Sequence, residues 1–203
     1  WWRQQLQLKV VGLTGSNGKT TVKDMLTSIL SEVGSVTATR GNFNNDIGLP
    51  LTLLEMKPEH EFAVIEMGAN HAGEIAYLTR LTCPDVAILN NAGAAHLEGF
   101  GSLQGVAEAK GEIFSGLPDD GVAIINIDDV FADYWLSLCD DHKKLFFGFA
   151  QAADVTTTTS LESYDGCFVL KADEQEAEVC LQVLGVHNLK NALAASAAAV
   201  SLG

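Results

Sequence analysis

Gly12-Leu13-Thr14-Gly15-Ser16-Asn17-Gly18-Lys19-Thr20-Thr21 decides the fold, because of what lies on either side of it. Before it, Leu8, Val10, Val11 and Leu13 form a short branched apolar run that suits a buried strand. After it the period changes. Val22, Met25, Leu26, Ile29, Leu30 and Val33 recur at helical spacing and turn one apolar stripe toward a sheet, with Gly34 at the position of a C-cap. Strand, glycine loop and helix N-terminus in succession make a phosphate cradle. The glycines let backbone N–H groups converge on an anion, the first helical turn adds unpaired N–H groups and partial positive charge, and Lys19 adds a full charge. Thr20 puts a hydroxyl where a phosphate-bound Mg²⁺ takes an oxygen ligand. Gly15, Ser16, Asn17, Gly18, Lys19, Thr20 and Thr21 are therefore the expected nucleotide contacts. The loop departs from the common G-x-x-x-x-G-K-[ST] pattern in one respect: the first glycine position holds Leu13, and the nearest glycine is Gly12.

The rest of the chain sets bounds on this reading. Its 203 residues are enough for one large domain with a proper core. A net charge of −14 argues against a nucleic-acid partner, since no basic stripe exists to neutralise backbone phosphates. An anionic nucleotide must then be held locally, which raises the importance of Lys19, helix N–H groups and a metal ion. Cys83, Cys139, Cys167 and Cys180 have no C-x-x-C or zinc-like spacing and read as buried thiols in a reducing compartment. No window suits a transmembrane helix and no signal peptide opens the chain, so the expectation is a cytoplasmic protein without membrane insertion. The start at Trp1-Trp2-Arg3 and the stop inside an alanine-rich helix suggest a domain cut from a longer polypeptide.

Along the chain, strands are expected at residues 35–39, 62–68, 86–89, 121–127 and 144–149, alternating with helices at 72–81, 102–117 and 131–138. This predicts an α/β fold of the P-loop type, a mainly parallel sheet with helices on both faces. Residues 155–163, 167–172 and 177–183 are short segments rich in Val, Thr and Leu, and they add a small antiparallel β meander near the C-terminus. The organisation is thus a parallel α/β core over 1–150, an antiparallel subregion over 151–184, and a loop with the final helix over 185–203. Glu66 ends an otherwise apolar strand, where a carboxylate is costly unless it is paired or binds metal. His96 lies just beyond another strand, where ligands bind in open α/β sheets. Lys110 sits on a helix between Glu108 and Glu112, which by themselves would make it a solvated lysine in helical ion pairs. Asp129 suffices as a helix cap. His187, Asn188 and Asn191, ahead of the last helix, offer donors and acceptors for a base or ribose. The polar loop over 40–50, with Asn42, Asn44, Asn45 and Asp46, is of the kind that carries ligand contacts.

Five stretches in this order, GLTGSNGKTT (12–21), GNFNNDIGLPLTLL (41–54), VIEMGANHAGEIAYL (64–78), NNAGAAHLEGFGSLQGVAEAKGEIF (90–114) and GVHNLKNALAA (185–195), resemble the Mur ligase family of bacterial cell-wall synthesis. They span nearly the whole chain, and the Gly12 spacing is the one this family uses. GANHAGEI and AAHLEGFGS point to the branch that adds D-alanyl-D-alanine. The resemblance implies an ATP-dependent, ADP-forming amide ligase. The carboxylate of UDP-N-acetylmuramoyl-tripeptide attacks the γ-phosphate of ATP to give an acyl phosphate, and the amine of D-alanyl-D-alanine displaces phosphate. Such a step needs positioning and charge neutralisation more than protein nucleophiles. By the same resemblance Lys19, Glu66, His96 and Lys110 are the catalytic set, with Lys19 on the β- and γ-phosphates. Thr20, Glu66 and His96 hold Mg²⁺, and Lys110 matches a lysine carbamylated in several members. Asn188 and Asn191, with His187, face the adenine, and Asn42, Asn44, Asn45 and Asp46 line the tripeptide side. The family's N-terminal uridine-nucleotide domain and C-terminal closing domain are not visible in the sequence, so the expectation is a monomeric central ATPase domain with little or no ligase turnover of its own. Two other readings compete: a relative that extends peptide or folate chains by glutamate, and a non-catalytic nucleotide-binding module. The second gives no reason for a strand-end acid, His96 and Lys110 to occur together.

Overall fold

The computed structural model describes residues 2–94, 97–162 and 164–203. Among the described residues there are nine strands: β1 (Lys9–Thr14), β2 (Val36–Ala38), β3 (Phe62–Glu66), β4 (Val86–Leu89), β5 (Val122–Asn126), β6 (Lys143–Phe147), β7 (Val155–Thr157), β8 (Cys167–Ala172) and β9 (Gln175–Cys180). They form one sheet in the order β2-β3-β1-β4-β5-β6-β7-β8-β9. Pairing is parallel from β2 to β7 and antiparallel across β7, β8 and β9. The expected meander is thus built onto the main sheet, since β7 aligns Val155 beside Phe147 of β6 before the chain reverses. Asp173 and Glu174 make the two-residue turn between β8 and β9, with Asp173 at φ 52° as such hairpin turns require.

The helices are α1 (Lys19–Ser31), α2 (Gly48–Leu54), α3 (Glu74–Thr82), α4 (Leu97–Phe100), α5 (Leu103–Gly111), α6 (Ala132–Ser137) and α7 (Val186–Leu202). The central strands are apolar on both sides, and the two-residue period divides them between two cores. Val10, Ala63, Ile65, Ala87, Leu89, Ala123 and Ile125 meet α2, α3, α5 and α6, around the fully buried Trp135. Val11, Leu13, Val64, Val86, Ile88 and Ile124 meet α1 and the alanine-rich α7 on the other face. Ser102 caps α5, its side chain accepting from the Gly105 N–H at 2.9 Å.

Two expectations are corrected. The 40–50 segment is not loop throughout, because α2 begins at Gly48. The Asn45 carboxamide accepts from the Ile47 and Gly48 N–H groups at 3.2 and 2.8 Å and so closes the first turn, where Pro50 needs no N–H partner. The four cysteines are not all thiols: Cys167 and Cys180 are directly opposed on β8 and β9 and form a disulfide. Register brings together two residues that are 13 apart in sequence, and spacing alone does not show this. Cys139 is a buried thiol, its pKa pushed up to about 12 by burial, and Cys83 is half-buried. Among the described residues no helix is long and apolar enough to cross a membrane.

Candidate nucleotide site

β1 lies between β3 and β4, and their parallel register puts Leu13 beside Glu66 and Thr14 beside Leu89. The segments leaving these three strands therefore emerge at one edge of the sheet, where open α/β folds bind ligands. The glycine loop leaves β1 there and turns into α1 at Gly18, whose φ of 79° is the left-handed conformation that glycine adopts without a steric cost. Among the described residues no side chain caps the N-terminus of α1, so the N–H groups of its first turn face the site. Segment 90–93 braces the loop from the side. Ser16 N donates to Asn91 O at 3.0 Å, Gly93 N donates to Ser16 Oγ at 2.8 Å, and Asn17 N donates to Asn91 Oδ1 at 2.9 Å.

Lys19 folds back over the loop, its Nζ donating to Gly15 O at 2.7 Å and Ser16 O at 3.4 Å. Burial lowers its pKa, and the nearby Glu66 carboxylate partly restores it. Thr20 lies next in the chain and donates its hydroxyl to Glu66 Oε2 at 3.0 Å. Glu66 is only 2% exposed, and its other oxygen accepts from Asn44 Nδ2 at 2.7 Å. Among the described residues the strand-end acid is thus hydrogen-bonded by a hydroxyl and an amide and has no direct ion pair, with Lys19 close enough to interact with it through space. Two oxygens of different residues 3.0 Å apart are of the hard-donor type that Mg²⁺ takes. Among the described residues no three His, Cys, Asp or Glu side chains cluster as a ready metal cage. His96, the third expected ligand, lies outside the described residues.

Beside this pair a cavity of about 650 Å³ is lined by Lys19, Asn42, Asn44, Asn45, Asp46 and Lys110 among others. All four residues expected on the tripeptide side reach it, but Asn44 is engaged by Glu66 and Asn45 by α2. Lys110 differs from the solvated lysine that its flanking acids suggest. It is 2% exposed, its Nζ lies 5.6 Å from the Phe100 ring centroid, and its pKa falls to about 8. Burial is the largest cause and Lys19 the next; Glu74 and Glu112 act in the opposite direction. Because the folded-state pKa is depressed, burying the charge penalises folding fully below pH 8 and not at all above the unfolded value of 10.5. Lys110→Met is therefore expected to stabilise the fold at pH 7 by on the order of 3 kcal/mol, with the gain fading between pH 8 and 10.5. Denaturant titrations of both proteins across that range measure it, and a pH-independent difference would contradict the assignment.

At the start of α7, His187 is exposed, while Asn188 donates to Leu184 O at 2.8 Å and Asn191 is buried among polar partners. Two groups were not assigned a site role from sequence. Asn90, at the end of β4, donates to Asn17 O and to Asn191 Oδ1, both at 3.0 Å. Asp128 accepts from Lys190 Nζ at 2.9 Å and from the Phe149 and Ala150 N–H groups, tying α7 to the turn after β6, and these donors hold its pKa down. The asparagine pair just past a strand was a visible signal for the first; nothing local signals the second. Asp129 does not cap α6, whose N-cap is Phe131 without a side-chain cap bond; it closes the turn before the helix by accepting from Phe131 N at 3.1 Å, and it also holds Ala92 N at 3.0 Å.

Comparison with known proteins agrees with this geometry. Over all 203 residues the chain is similar to the UDP-N-acetylmuramoyl-tripeptide–D-alanyl-D-alanine ligases of Escherichia coli, at 50% identity, and, over 98% of its length, Bacillus subtilis, at 42%. It spans 45% and 43% of those proteins, less than half the length of each. A crystal structure of MurF from Acinetobacter baumannii superposes on the whole chain with a TM-score of 0.94 at 43% identity, the chain covering 45% of it. The MurF ligase of Thermotoga maritima in complex with ADP does so with a TM-score of 0.85 at 33% identity, the chain covering 48% of it. The Mur ligase middle domain model matches residues 13–199, from the end of the first strand through most of the last helix, and the chain therefore belongs to the Mur ligase family.

Proposed function

We propose that this chain is the ATP-binding part of a ligase that joins D-alanyl-D-alanine to UDP-N-acetylmuramoyl-tripeptide in peptidoglycan precursor synthesis, acting as a cytoplasmic monomer. The observation that carries the proposal is that Lys19 and buried Lys110 line one cavity at the sheet edge, with the Thr20–Glu66 pair joined to its wall through Asn44. The donor set fits a magnesium nucleotide: an uncapped helix N-terminus and a desolvated lysine for the phosphates, and hard oxygens for the metal. When bound, Mg²⁺ would supply charge neutralisation at the phosphates. Thr20 and Glu66 would hold it, and Lys19 would take the β- and γ-phosphate oxygens.

The tripeptide carboxylate would enter from the Asn42 and Asp46 side of the same cavity, so that attack on the γ-phosphate is a matter of alignment. Lys110, with a pKa near 8, has a substantial neutral amine fraction at physiological pH, the form that carbon dioxide carbamylates. As a carbamate it would become an anion on the cavity wall. A readout is a bicarbonate-dependent carbamate carbon signal that is lost in Lys110→Ala.

The test is a domain exchange. The segment of the Escherichia coli ligase that matches this chain is replaced by the 203 residues, and the hybrid is assayed with UDP-N-acetylmuramoyl-tripeptide, ATP and either D-alanyl-D-alanine or glutamate. ADP formation dependent on D-alanyl-D-alanine, reduced at least 100-fold by Glu66→Ala, is the expected result. A folded hybrid without turnover, or one that accepts only glutamate, would overturn the proposal.

A further inference from the structure

Lys23 is a buried cation that the nucleotide site described above does not use. It lies on the inward face of α1 with Val22 and Leu26 and is 6% exposed. An apolar side chain of the same length would fill this position without taking an ammonium group out of water, which argues that the amine has a specific task. Its Nζ donates to Thr39 O at 3.0 Å. A second contact, to Asp24 Oδ1 at 3.2 Å, involves an exposed carboxylate and contributes little.

Thr39 is where the chain leaves the sheet after β2. Phe62 N donates to Ser35 O and Thr39 N to Val64 O, each at 3.0 Å, and the same two-residue step of a parallel ladder would bring Glu66 N to Thr39 O. Instead Lys23 takes the Thr39 carbonyl, and Glu66 N donates to Thr39 Oγ1 at 2.9 Å. The chain beyond then crosses the end of β3, where Asn44 O accepts from Gly68 N at 2.7 Å and Asn44 Nδ2 donates to Glu66 Oε1, also at 2.7 Å. Glu66 is thereby held at its backbone by Thr39 and at its carboxylate by Asn44, and both belong to the segment that Lys23 diverts.

We infer that Lys23 is a positioning residue for the metal-binding acid, acting on Glu66 through Thr39. By holding the Thr39 carbonyl away from β3 it turns residues 40–47 across the strand end, and so keeps the Glu66 carboxylate between Thr20 and Asn44 at the cavity wall. Without the amine, Thr39 O is free to pair with Glu66 N, the ladder gains a rung, and Asn44 is drawn off the carboxylate. The inference rests on the reading of Thr20 and Glu66 as metal ligands, and the test keeps the two apart.

The experiment titrates the 203-residue chain and its variants with ADP, once with Mg²⁺ and once with EDTA. In the unsubstituted chain Mg²⁺ should tighten binding. Lys23→Met keeps the length and removes the donor. It is expected to weaken Mg·ADP by about five- to tenfold, the worth of one buried hydrogen bond, while ADP affinity in EDTA is unchanged and the melting temperature is not lowered. Thr39→Val should have the same effect and Thr39→Ser should not, because serine keeps the hydroxyl. Adding Lys23→Met to Thr39→Val should cost nothing further, since both act on one path. If Lys23→Met leaves Mg·ADP binding unchanged, or weakens ADP equally with and without Mg²⁺, Lys23 only supports the fold and the inference is overturned while the metal reading stands. Equal behaviour of the two Thr39 variants overturns it as well. If Lys23→Met does not fold, the unsubstituted chain decides: Mg²⁺ added to its ADP complex should move the Lys23 Nζ resonance, and a resonance that stays still overturns the inference. If Mg²⁺ does not tighten ADP binding to the unsubstituted chain, the metal reading fails and the inference with it.

Discussion

Lys19→Ala is expected to lower the affinity of the chain for Mg·ADP by about 100-fold while leaving its melting temperature unchanged or slightly raised. Lys19 is the single full positive charge in the loop from Gly12 to Thr21, in a protein of net charge −14, so no neighbouring cation in that loop can substitute. A charge-assisted hydrogen bond to a phosphate oxygen contributes roughly 3 kcal/mol, which corresponds to about two orders of magnitude in binding. The stability effect has the opposite sign because burial already disfavours the charged amine, which outweighs its part-buried hydrogen bonds to the Gly15 and Ser16 carbonyls. Calorimetric titration, paired with a thermal melt at the same pH, measures both quantities. An affinity within threefold of the unsubstituted chain would mean that the loop does not bind phosphate in this way.

Gly18→Ala is the second large effect, and it should damage folding and binding together. The backbone conformation at φ 79° costs a residue with a Cβ about 1 kcal/mol. The added methyl would also overlap Asn191 Oδ1 at 2.4 Å and Asn90 Nδ2 at 2.8 Å, and both side chains are buried and cannot swing into solvent. Relief must come from the loop or from α7, breaking at least one of the 3.0 Å bonds that join them. A stability loss of about 2–3 kcal/mol follows from strain plus one broken buried hydrogen bond, read as a shift in denaturation midpoint without a change in slope. Loss of Mg·ADP binding beyond tenfold should accompany it. A variant of ordinary stability would show that the loop has more room than its contacts indicate.

Most of the fold was legible because its signals are local and repeated. The change from a strand run ending at Leu13 to the stripe from Val22 to Leu30 marks β1 and α1 without any tertiary information, and α1 indeed buries Val22, Leu26 and Leu30. The strand at Val86–Leu89 was bounded by turn residues on both sides and has the predicted limits. Ser102 announced α5 by the chemistry of an N-cap. Where the signal was not local, the sequence was silent or misleading. A polar, asparagine-rich run concealed the start of α2, because Asn45 caps from three residues upstream of the first helical position. Glu108 and Glu112 made Lys110 look solvated, since ion-pair spacing along a helix does not tell which face is turned inward.

The sequence by itself determined the class of the protein. A glycine loop set between a strand period and a helix period, the parallel β/α series, the acid at the end of an apolar strand and the order of five motifs are all readable along one dimension, because each depends on near neighbours or on simple spacing. Only the tertiary structure decided how those parts meet. Parallel register brings Glu66 to Thr20 at 3.0 Å across 46 positions, and α7 folds back across the sheet to set Asn191 against Asn90 across 101. Antiparallel register pairs Cys167 with Cys180, and the packing of α5 against the sheet removes Lys110 from water. The physical reason is the same in each case: burial, hydrogen bonding and the pKa shifts that follow are properties of distance in space, and the chain carries that information only once it has closed on itself.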